Sequence, residues 1–167
     1  MKPIVSRAIN SPQDPDVLVV DIIEGNQKIQ LYNIYNEDDQ KGIGLRTLER
    51  VIYPSRISSN TIVLGDFNTH HPWWDPLGTT SQGAEDLVAW LEDQGLGLVN
   101  TPGAGTFFRP HLLRESVLDL TLATSSLVDR IQDWQTLPDL GSDHYGLLFT
   151  VQGSQAPLTS NPLYVSK

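Results

Sequence analysis

The sequence predicts an α+β domain in which helices pack on a mixed β-sheet. Two observations indicate this fold class: short runs rich in Val, Ile and Leu recur along the chain, and only two stretches place apolar residues at helical spacing. With 167 residues, the chain is long enough to bury a core of its own. We therefore expect one domain, and the sequence contains no internal repeat.

Composition narrows the classes of function. The formal net charge of −9 argues against broad electrostatic capture of nucleic acid, which needs clustered Lys and Arg, whereas gathered carboxylates can hold a hard cation such as Mg²⁺. The absence of Cys excludes disulfides and thiolate metal sites. The sequence shows neither a secretory signal nor a membrane-spanning run, so we expect an intracellular protein, nuclear or cytoplasmic, with no membrane partner.

The first regular element predicted is a β-hairpin, which follows an irregular N-terminal segment, residues 1–16. That segment is polar and interrupted by prolines. β-branched and apolar residues fill positions 17–23 and 29–35, and residues 24–27 between them have turn chemistry.

Two helices are predicted from the spacing of apolar residues. The first covers residues 43–53 and ends at Pro54. The second starts after Ser81, whose hydroxyl suits an N-cap, carries its apolar stripe on residues 84–91 and ends at Gly95.

The remaining predicted strands are apolar or alternate between apolar and polar residues. They are residues 61–65, 96–100, 117–123, 131–136 and 145–151. Residues 17–151 then form the domain, and the Ser-, Pro- and Gly-rich residues 152–167 form a flexible tail.

The stretch TIVLGDFNTHHPWWDP, residues 61–76, contains the densest group of candidate functional residues. A buried strand delivers Asp66, Asn68 and His70 at its carboxyl end, where sheets often present reaction sites. Asp and Asn also favour turns, so these residues alone fit a plain strand-end turn equally well. Asp119 lies inside a Leu-rich strand, where an acid is costly to bury unless it is paired; a solvent-facing acid is the alternative.

Three motifs occur in order: GDFN at 65–68, S-x-x-D-L at 116–120 and GSDH at 141–144. This set resembles the endonuclease/exonuclease/phosphatase family, which includes DNase I-like and apurinic-site nucleases. The extended form GDFNTHHPWW, followed by SVLDLTLATSSL, a Trp and SDHYG, is most similar to the endonuclease domain of non-LTR retrotransposons. The resemblance covers residues 17–151. It implies a DNase I-like α/β sandwich of mixed, mainly antiparallel sheets with flanking helices.

The resemblance also implies a reaction, the hydrolysis of a phosphodiester by in-line attack of water with Mg²⁺ or Mn²⁺ as cofactor. Asp66 would position and deprotonate the water, and Asn68 would hold a phosphate oxygen. Asp143 would bind the metal. His144 would contact the scissile phosphate, and Asp119 would orient its ring through a hydrogen bond.

Further residues are implied to contact the substrate. Tyr35 matches the phosphate-facing tyrosine of the family, and His70 and Ser116 are assigned to substrate binding. A zinc site at His70 and His71 is not favoured, because adjacent side chains point apart and no Cys is at hand.

The sequence departs from the family pattern upstream of Tyr35, where family members carry a metal-site Asn and a Glu metal ligand. Asn10 stands instead in a Pro-rich loop, and Glu24 stands in the hairpin turn. We therefore expect a sandwich that lacks its N-terminal strands, has exposed edges and apolar faces, and binds Mg²⁺ poorly.

The leading hypothesis is an endonuclease that nicks DNA as in non-LTR retrotransposons, with activity reduced or abolished by the missing strands. DNA would be its substrate, and a reverse transcriptase domain would accompany it in a full-length element. One alternative is phosphatase or phosphodiesterase activity on a small phosphate ester, against which the HHPWW loop argues. The other is a non-catalytic remnant or nucleic-acid-binding fragment, which the missing Asn and Glu favour.

Overall fold

The computed structural model describes residues 5–8 (backbone only), 14–37, 46–138 and 140–153. The strands among these residues form two β-sheets. The larger sheet contains Val5–Ala8 (β1), Val17–Glu24 (β2), Gln27–Tyr35 (β3), Thr61–Asp66 (β4), Leu96–Leu98 (β5) and Asp119–Thr124 (β6). Its spatial order is β1-β2-β3-β4-β6-β5. The smaller sheet pairs Ile131–Leu137 (β7) with Gly146–Val151 (β8).

The larger sheet is mixed and mainly antiparallel. Only β3 and β4 run parallel; the other neighbouring pairs are antiparallel. The predicted hairpin is β2–β3, and its turn passes through Gly25 at φ +60°, a conformation that favours glycine. The α+β prediction is therefore confirmed.

The principal helix is Ala84–Gln94 (α1), which ends at Gly95 in the left-handed conformation, as predicted. The prediction that Ser81 caps this helix is wrong. Gly83 occupies the cap position, and the Ser81 hydroxyl instead accepts a hydrogen bond from the His70 backbone N–H at 2.9 Å. The Ser81 side chain thus ties the loop after β4 to the start of the helix.

The other two helices are short. Where a helix over residues 43–53 was predicted, the structure has a π-helical turn, Leu48–Ile52, followed by Pro54; residues 43–45 lie outside the described residues. A one-turn helix, Ser125–Val128 (α2), joins β6 to β7 and was not predicted. Within the described ranges, no helix combines the length and apolar character that crossing a membrane requires.

The larger sheet is packed on both faces, because alternate residues of β4 and β6 enter two apolar clusters. Val63, Leu120 and Leu122 pack with the buried side of α1 and with the π-helical turn. Ile62 and Ala123 pack on the other face against α2 and the β7–β8 sheet. Each fully buried aliphatic side chain contributes about 1.5–3 kcal/mol. These clusters therefore fix the strands that carry the polar residues described below.

The structure corrects the prediction of an irregular segment over residues 1–16. Val5–Ala8 forms β1 and pairs antiparallel with β2, from Val5 opposite Ile23 to Ala8 opposite Val20. The physical reason is that β2 would otherwise present a row of unpaired N–H and C=O groups at the sheet edge. Residues 1–4 and 9–13 lie outside the described residues, as do residues 154–167 of the predicted tail.

Apolar side chains reach solvent on both sheets. Leu18 on β2 is 49% exposed, and Leu148 on β8 is 48% exposed. Exposed apolar side chains were predicted for the sheet faces, and these two leucines lie on such faces.

Candidate active site

Three of the predicted site residues lie side by side across three strands. Tyr35 on β3 is in register with Asp66 on β4, and Asp66 is in register with Asp119 on β6. Residues in register on neighbouring strands point to the same face of a sheet. The parallel pair β3–β4 ends where the antiparallel strand β6 begins, so the topology gathers residues that are far apart in sequence.

His144 joins this row from the start of the smaller sheet. Its Nδ1 lies 2.9 Å from Asp119 Oδ2, and its Nε2 lies 3.8 Å from Asp66 Oδ2. A backbone bridge pairs His144 with Phe107, whose ring centre lies 4.9 Å from the imidazole. The imidazole is therefore held between two carboxylates, one hydrogen-bonded and one at longer range.

The electrostatics of Asp66 suit proton transfer near neutral pH. Its side chain is only 14% exposed. Burial raises the pKa of Asp66 to about 6; the hydrogen bond from the Asn68 backbone N–H opposes this rise, and the neighbouring Asp119 adds to it. A carboxyl group with this pKa is largely ionised at pH 7 yet still a competent proton acceptor.

Asn68 follows Asp66 in a tight turn, at φ +45°. Its backbone N–H donates to Asp66 Oδ1 at 2.9 Å, so the turn interpretation of these residues is confirmed, whereas their catalytic roles stay predictions. Its side-chain Nδ2 donates to the Asn36 carbonyl at 2.9 Å and to Asp66 Oδ2 at 3.2 Å. The contact of this amide group with a phosphate oxygen stays a prediction. To form it, Asn68 Nδ2 would have to give up one of these two hydrogen bonds.

An open cavity of about 500 Å³ lies over this row of side chains. Its polar wall contains Tyr35, Asp66, Asp119, Ser142 and His144. Pro15, Leu18 and Ile34 add apolar groups to its lining. Tyr35 is half exposed, and its contact with a substrate phosphate stays a prediction.

Asp143 is adjacent to His144 in sequence but does not line the cavity. Its Oδ2 accepts a hydrogen bond from Arg109 Nε at 2.8 Å, and this guanidinium holds the pKa of Asp143 below its usual range. Arg109 also lies over the ring of Phe107, 5.1 Å from its centre. The structure thus pairs the predicted metal ligand with a cation from the protein.

The described residues by themselves do not fit a Mg²⁺ site. Among them, no group of three or more His, Asp or Glu side chains converges as a metal ion requires. Asp66 and Asp119 share the imidazole, and Asp143 is engaged elsewhere. The metal-binding role of Asp143 stays a prediction.

His70 and Ser116 lie outside the cavity. His70 Nδ1 contacts Asp75 Oδ2 at 3.2 Å, and Arg114 binds the same buried carboxylate through two hydrogen bonds. The backbone of Ser116 pairs with Phe107, beside His144. These contacts stabilise the two loops near the site, and the substrate-binding roles of His70 and Ser116 stay predictions.

The sequence interpretation missed two residues that shape the site. The hydroxyl of Thr106, which is fully buried, accepts hydrogen bonds from the backbone N–H groups of Leu118 and Asp119 at 3.0 and 2.9 Å. Gly65 has φ +131°, and a Cβ there would lie 2.0 Å from the Ile34 carbonyl oxygen. The glycine in the GDFN motif was the available indication of such a close approach. A threonine after a turn carries no comparable indication.

Comparisons of the sequence and of the fold with known proteins point to the same family. A family model described as endonuclease-reverse transcriptase matches residues 29–148. A search of curated proteins finds no match. The endonuclease domain of TRAS1, a telomere-specific non-LTR retrotransposon, is similar at 25% identity and TM-score 0.74, over 89% of this chain and 67% of that chain.

Two more distant structures share the fold. The AP endonuclease LMAP from Leishmania major matches at 14% identity and TM-score 0.64, over 89% of this chain and 62% of its own. A 3′-5′ exonuclease, NExo, from Neisseria meningitidis matches at 13% identity and TM-score 0.59, over 91% and 72%. The chain thus spans 62–72% of these three structures. The family match and the shared fold show that the chain belongs to the endonuclease-reverse transcriptase group of the DNase I-like endonuclease/exonuclease/phosphatase family.

Proposed function

We propose that this chain is a phosphodiester hydrolase that nicks DNA. The observation that carries the proposal is the imidazole of His144, held by Asp119 at 2.9 Å and facing Asp66 at 3.8 Å beside an open cavity. A base and a hydrogen-bond donor that flank one space are the groups that hydrolysis by water needs.

In the proposed reaction, Asp66 accepts the proton of the attacking water. The water oxygen bonds to phosphorus as the ester P–O bond to the leaving oxygen breaks, and the leaving oxygen takes a proton from solvent. With a pKa of about 6, Asp66 is still largely ionised at pH 7 and is a stronger base than an ordinary carboxylate. Asp119 accepts the hydrogen bond from His144 Nδ1, which leaves Nε2 of the imidazolium form to donate to a phosphate oxygen. That donation stabilises the negative charge that develops on the phosphoryl oxygens. Tyr35, half exposed on the cavity wall, contacts the same phosphate.

We also propose a dependence on Mg²⁺ or Mn²⁺, with Asp143 as a ligand. When bound, such a cation would supply charge stabilisation at the phosphate. Because the described residues do not complete a cation site, we expect this chain alone to bind the ion weakly and to react slowly. A titration with Mg²⁺ or Mn²⁺, followed by thermal melting, tests this: the expected small rise in melting temperature disappears in Asp143→Ala.

The similarity to a retrotransposon endonuclease domain supports DNA as the substrate and a linked reverse transcriptase as the partner.

A plasmid-nicking assay with and without Mg²⁺ or Mn²⁺ tests the proposal. Asp66→Ala and His144→Ala are expected to abolish metal-dependent nicking. Asp21→Asn is the matched control, because the Asp21 carboxylate is similarly buried, at 11% exposure, but pairs with Lys28 and does not line the cavity. Nicking that persists in Asp66→Ala contradicts the proposed roles.

The same protein preparations separate the alternatives. DNA binding without cleavage under every metal condition indicates a nucleic-acid-binding remnant. Hydrolysis of a small phosphate ester, with DNA left intact, indicates a phosphatase.

A further inference from the structure

Two buried asparagines lie behind the strand ends that carry the site carboxylates. Asn36 is 1% exposed and Asn100 is 4% exposed, and neither lines the cavity. A buried amide is costly unless its donor and acceptor both find partners. Each of these amides finds both partners, on backbone groups of the site segments or of the elements packed beside them.

Asn36 holds the turn that contains Asp66 and Asn68. Its Nδ2 donates to the Phe67 carbonyl at 2.8 Å, and its Oδ1 accepts from the Leu48 N–H at 3.3 Å. Its backbone N–H donates to the Asp66 carbonyl at 2.8 Å, and its own carbonyl accepts from Asn68 Nδ2 at 2.9 Å. One residue therefore contacts every residue of the turn, in which Asn68 adopts a left-handed conformation that non-glycine residues seldom adopt.

Asn100 holds the segment that contains Asp119. Its Nδ2 donates to the Asp119 carbonyl at 2.9 Å, and its Oδ1 accepts from the Thr121 N–H at 2.6 Å. The strand pairing of β5 with β6 ends at Leu98 opposite Leu122. The Asn100 side chain thus supplies hydrogen bonds to β6 beyond the point where strand pairing stops.

We propose that Asn36 and Asn100 are positioning residues that set the separation of Asp66 from the Asp119–His144 pair; this inference rests on the proposed function. Loss of Asn36 loosens the turn that carries Asp66, and loss of Asn100 moves Asp119 and, through it, the imidazole. A displacement of about 1 Å at a reacting group lowers rates by up to about a hundredfold. The two residues therefore act on opposite sides of the 3.8 Å gap between Asp66 Oδ2 and His144 Nε2.

The test compares Asn36→Ala and Asn100→Ala with Thr61→Val. Thr61 is fully buried at the opposite end of β4, and its hydroxyl donates to the Ser58 carbonyl at 2.8 Å, so this control also loses a hydrogen bond of a buried side chain. Proton NMR records the ring N–H signal of His144, which reports its bond to Asp119, and the side-chain amide signals of Asn68. Plasmid nicking gives kcat and KM for each variant, below its melting temperature.

We expect a distinct signature for each variant. Asn100→Ala loses or shifts the His144 ring N–H signal, whereas Asn36→Ala keeps it and shifts the Asn68 amide signals. Both lower kcat by about tenfold to a hundredfold with little change in KM. Thr61→Val lowers the melting temperature without either change. If an alanine variant fails to fold, Asn36→Leu and Asn100→Leu keep the approximate size of the side chain, lose its hydrogen bonds without adding a charge, and are expected to show the same signatures.

The NMR and kinetic readouts separate the two levels of the argument. If the wild-type chain does not cut DNA but the two NMR signatures appear, the positioning stands and the proposed function fails. If the variants keep both sets of signals and the kcat of Thr61→Val, the positioning role is overturned.

Discussion

Replacing Asp66 by Asn is expected to stabilise the fold at neutral pH while it abolishes activity. The reason is the burial of the Asp66 carboxylate, which raises its pKa from 3.8 to about 6. A group whose pKa is higher in the folded state binds protons more tightly there. The contribution of protonated Asp66 to the free energy of unfolding is therefore fully present below about pH 4. It is lost as the pH rises through about 6, where the folded-state carboxyl ionises.

The magnitude follows from the two pKa values. A rise from 3.8 to about 6 corresponds to about 3 kcal/mol, at about 1.4 kcal/mol for each tenfold change in proton affinity. The amide introduced by Asp66→Asn still accepts the Asn68 backbone N–H, but its NH₂ group faces Asn68 Nδ2, so one hydrogen bond worth about 1 kcal/mol is lost at every pH. We expect the variant to be about 2 kcal/mol more stable at pH 7 and about 1 kcal/mol less stable at pH 4.

Urea unfolding at a series of pH values from 4 to 8 measures this difference, with the fluorescence of the four tryptophans as the signal. The difference in unfolding free energy between variant and wild type should rise by about 3 kcal/mol across this range, centred between pH 4 and 6. Two parallel curves would refute the reasoning, because they would mean that Asp66 titrates alike in the folded and unfolded chain.

Three further predictions concern other parts of the structure. Gly65→Ala forces a Cβ against a backbone oxygen of β3 at φ +131°, and we expect a loss of about 3 kcal/mol or more, measured by thermal melting. Burial would raise the pKa of Glu37, but hydrogen bonds from Arg50, from Thr47 and from backbone N–H groups together lower it to about 2, so the stabilisation they provide is lost as the pH falls. Arg50→Gln should therefore flatten the fall in stability between pH 4.5 and 2, measured by urea unfolding. Arg109→Gln should raise the affinity for Mn²⁺, measured by calorimetry, since the guanidinium no longer competes for Asp143.

Each of these predictions has its own control. Gly153→Ala meets nothing within 4 Å and should leave the melting temperature unchanged. Lys28→Gln removes an exposed partner of Asp21 and should keep the wild-type slope in acid; a wild-type slope in Arg50→Gln as well would contradict the second prediction. Asp143→Ala should abolish Mn²⁺ binding, and equal binding in all three proteins would remove Asp143 as a metal ligand.

The strands and the longer helix were predictable because packing enforces their periodicity. Leu120 and Leu122 alternate with Thr121 on β6, and the two sets of side chains face different sides of the sheet. Turn chemistry at Gly25 and Gly95 marks the ends of elements, since both adopt the left-handed conformation. Where the local turn chemistry and the pattern of buried residues agree, a single sequence is enough to predict the bounds of a strand or helix.

The predictions failed where a side chain had a partner that is distant in sequence. Ser81 has the chemistry of an N-cap, but the His70 N–H competes for its hydroxyl. Nothing in the sequence indicated that Arg109, 34 positions away, donates a hydrogen bond to the Asp143 carboxylate, whose metal-binding role stays a prediction. Spacing along the chain does not encode such partners. The positions of Asn36 and Asn100 were not predicted for the same reason. An isolated Asn suits an exposed turn as well as a buried site where its amide binds distant backbone groups.

The motif residues depend on the topology as much as on their own chemistry. Tyr35, Asp66 and Asp119 form one row only because β3 and β4 run parallel and β6 returns antiparallel beside them. A slip of one residue in either pairing would turn a carboxylate to the opposite face, into the apolar cluster. Gly65 permits the close approach of β4 to β3, and Asn36 and Asn100 hold the segments that carry Asp66 and Asp119. A chain that kept GDFN, SVLDL and GSDH but lost these supports would therefore retain the motif residues without the 3.8 Å gap on which the proposed chemistry depends.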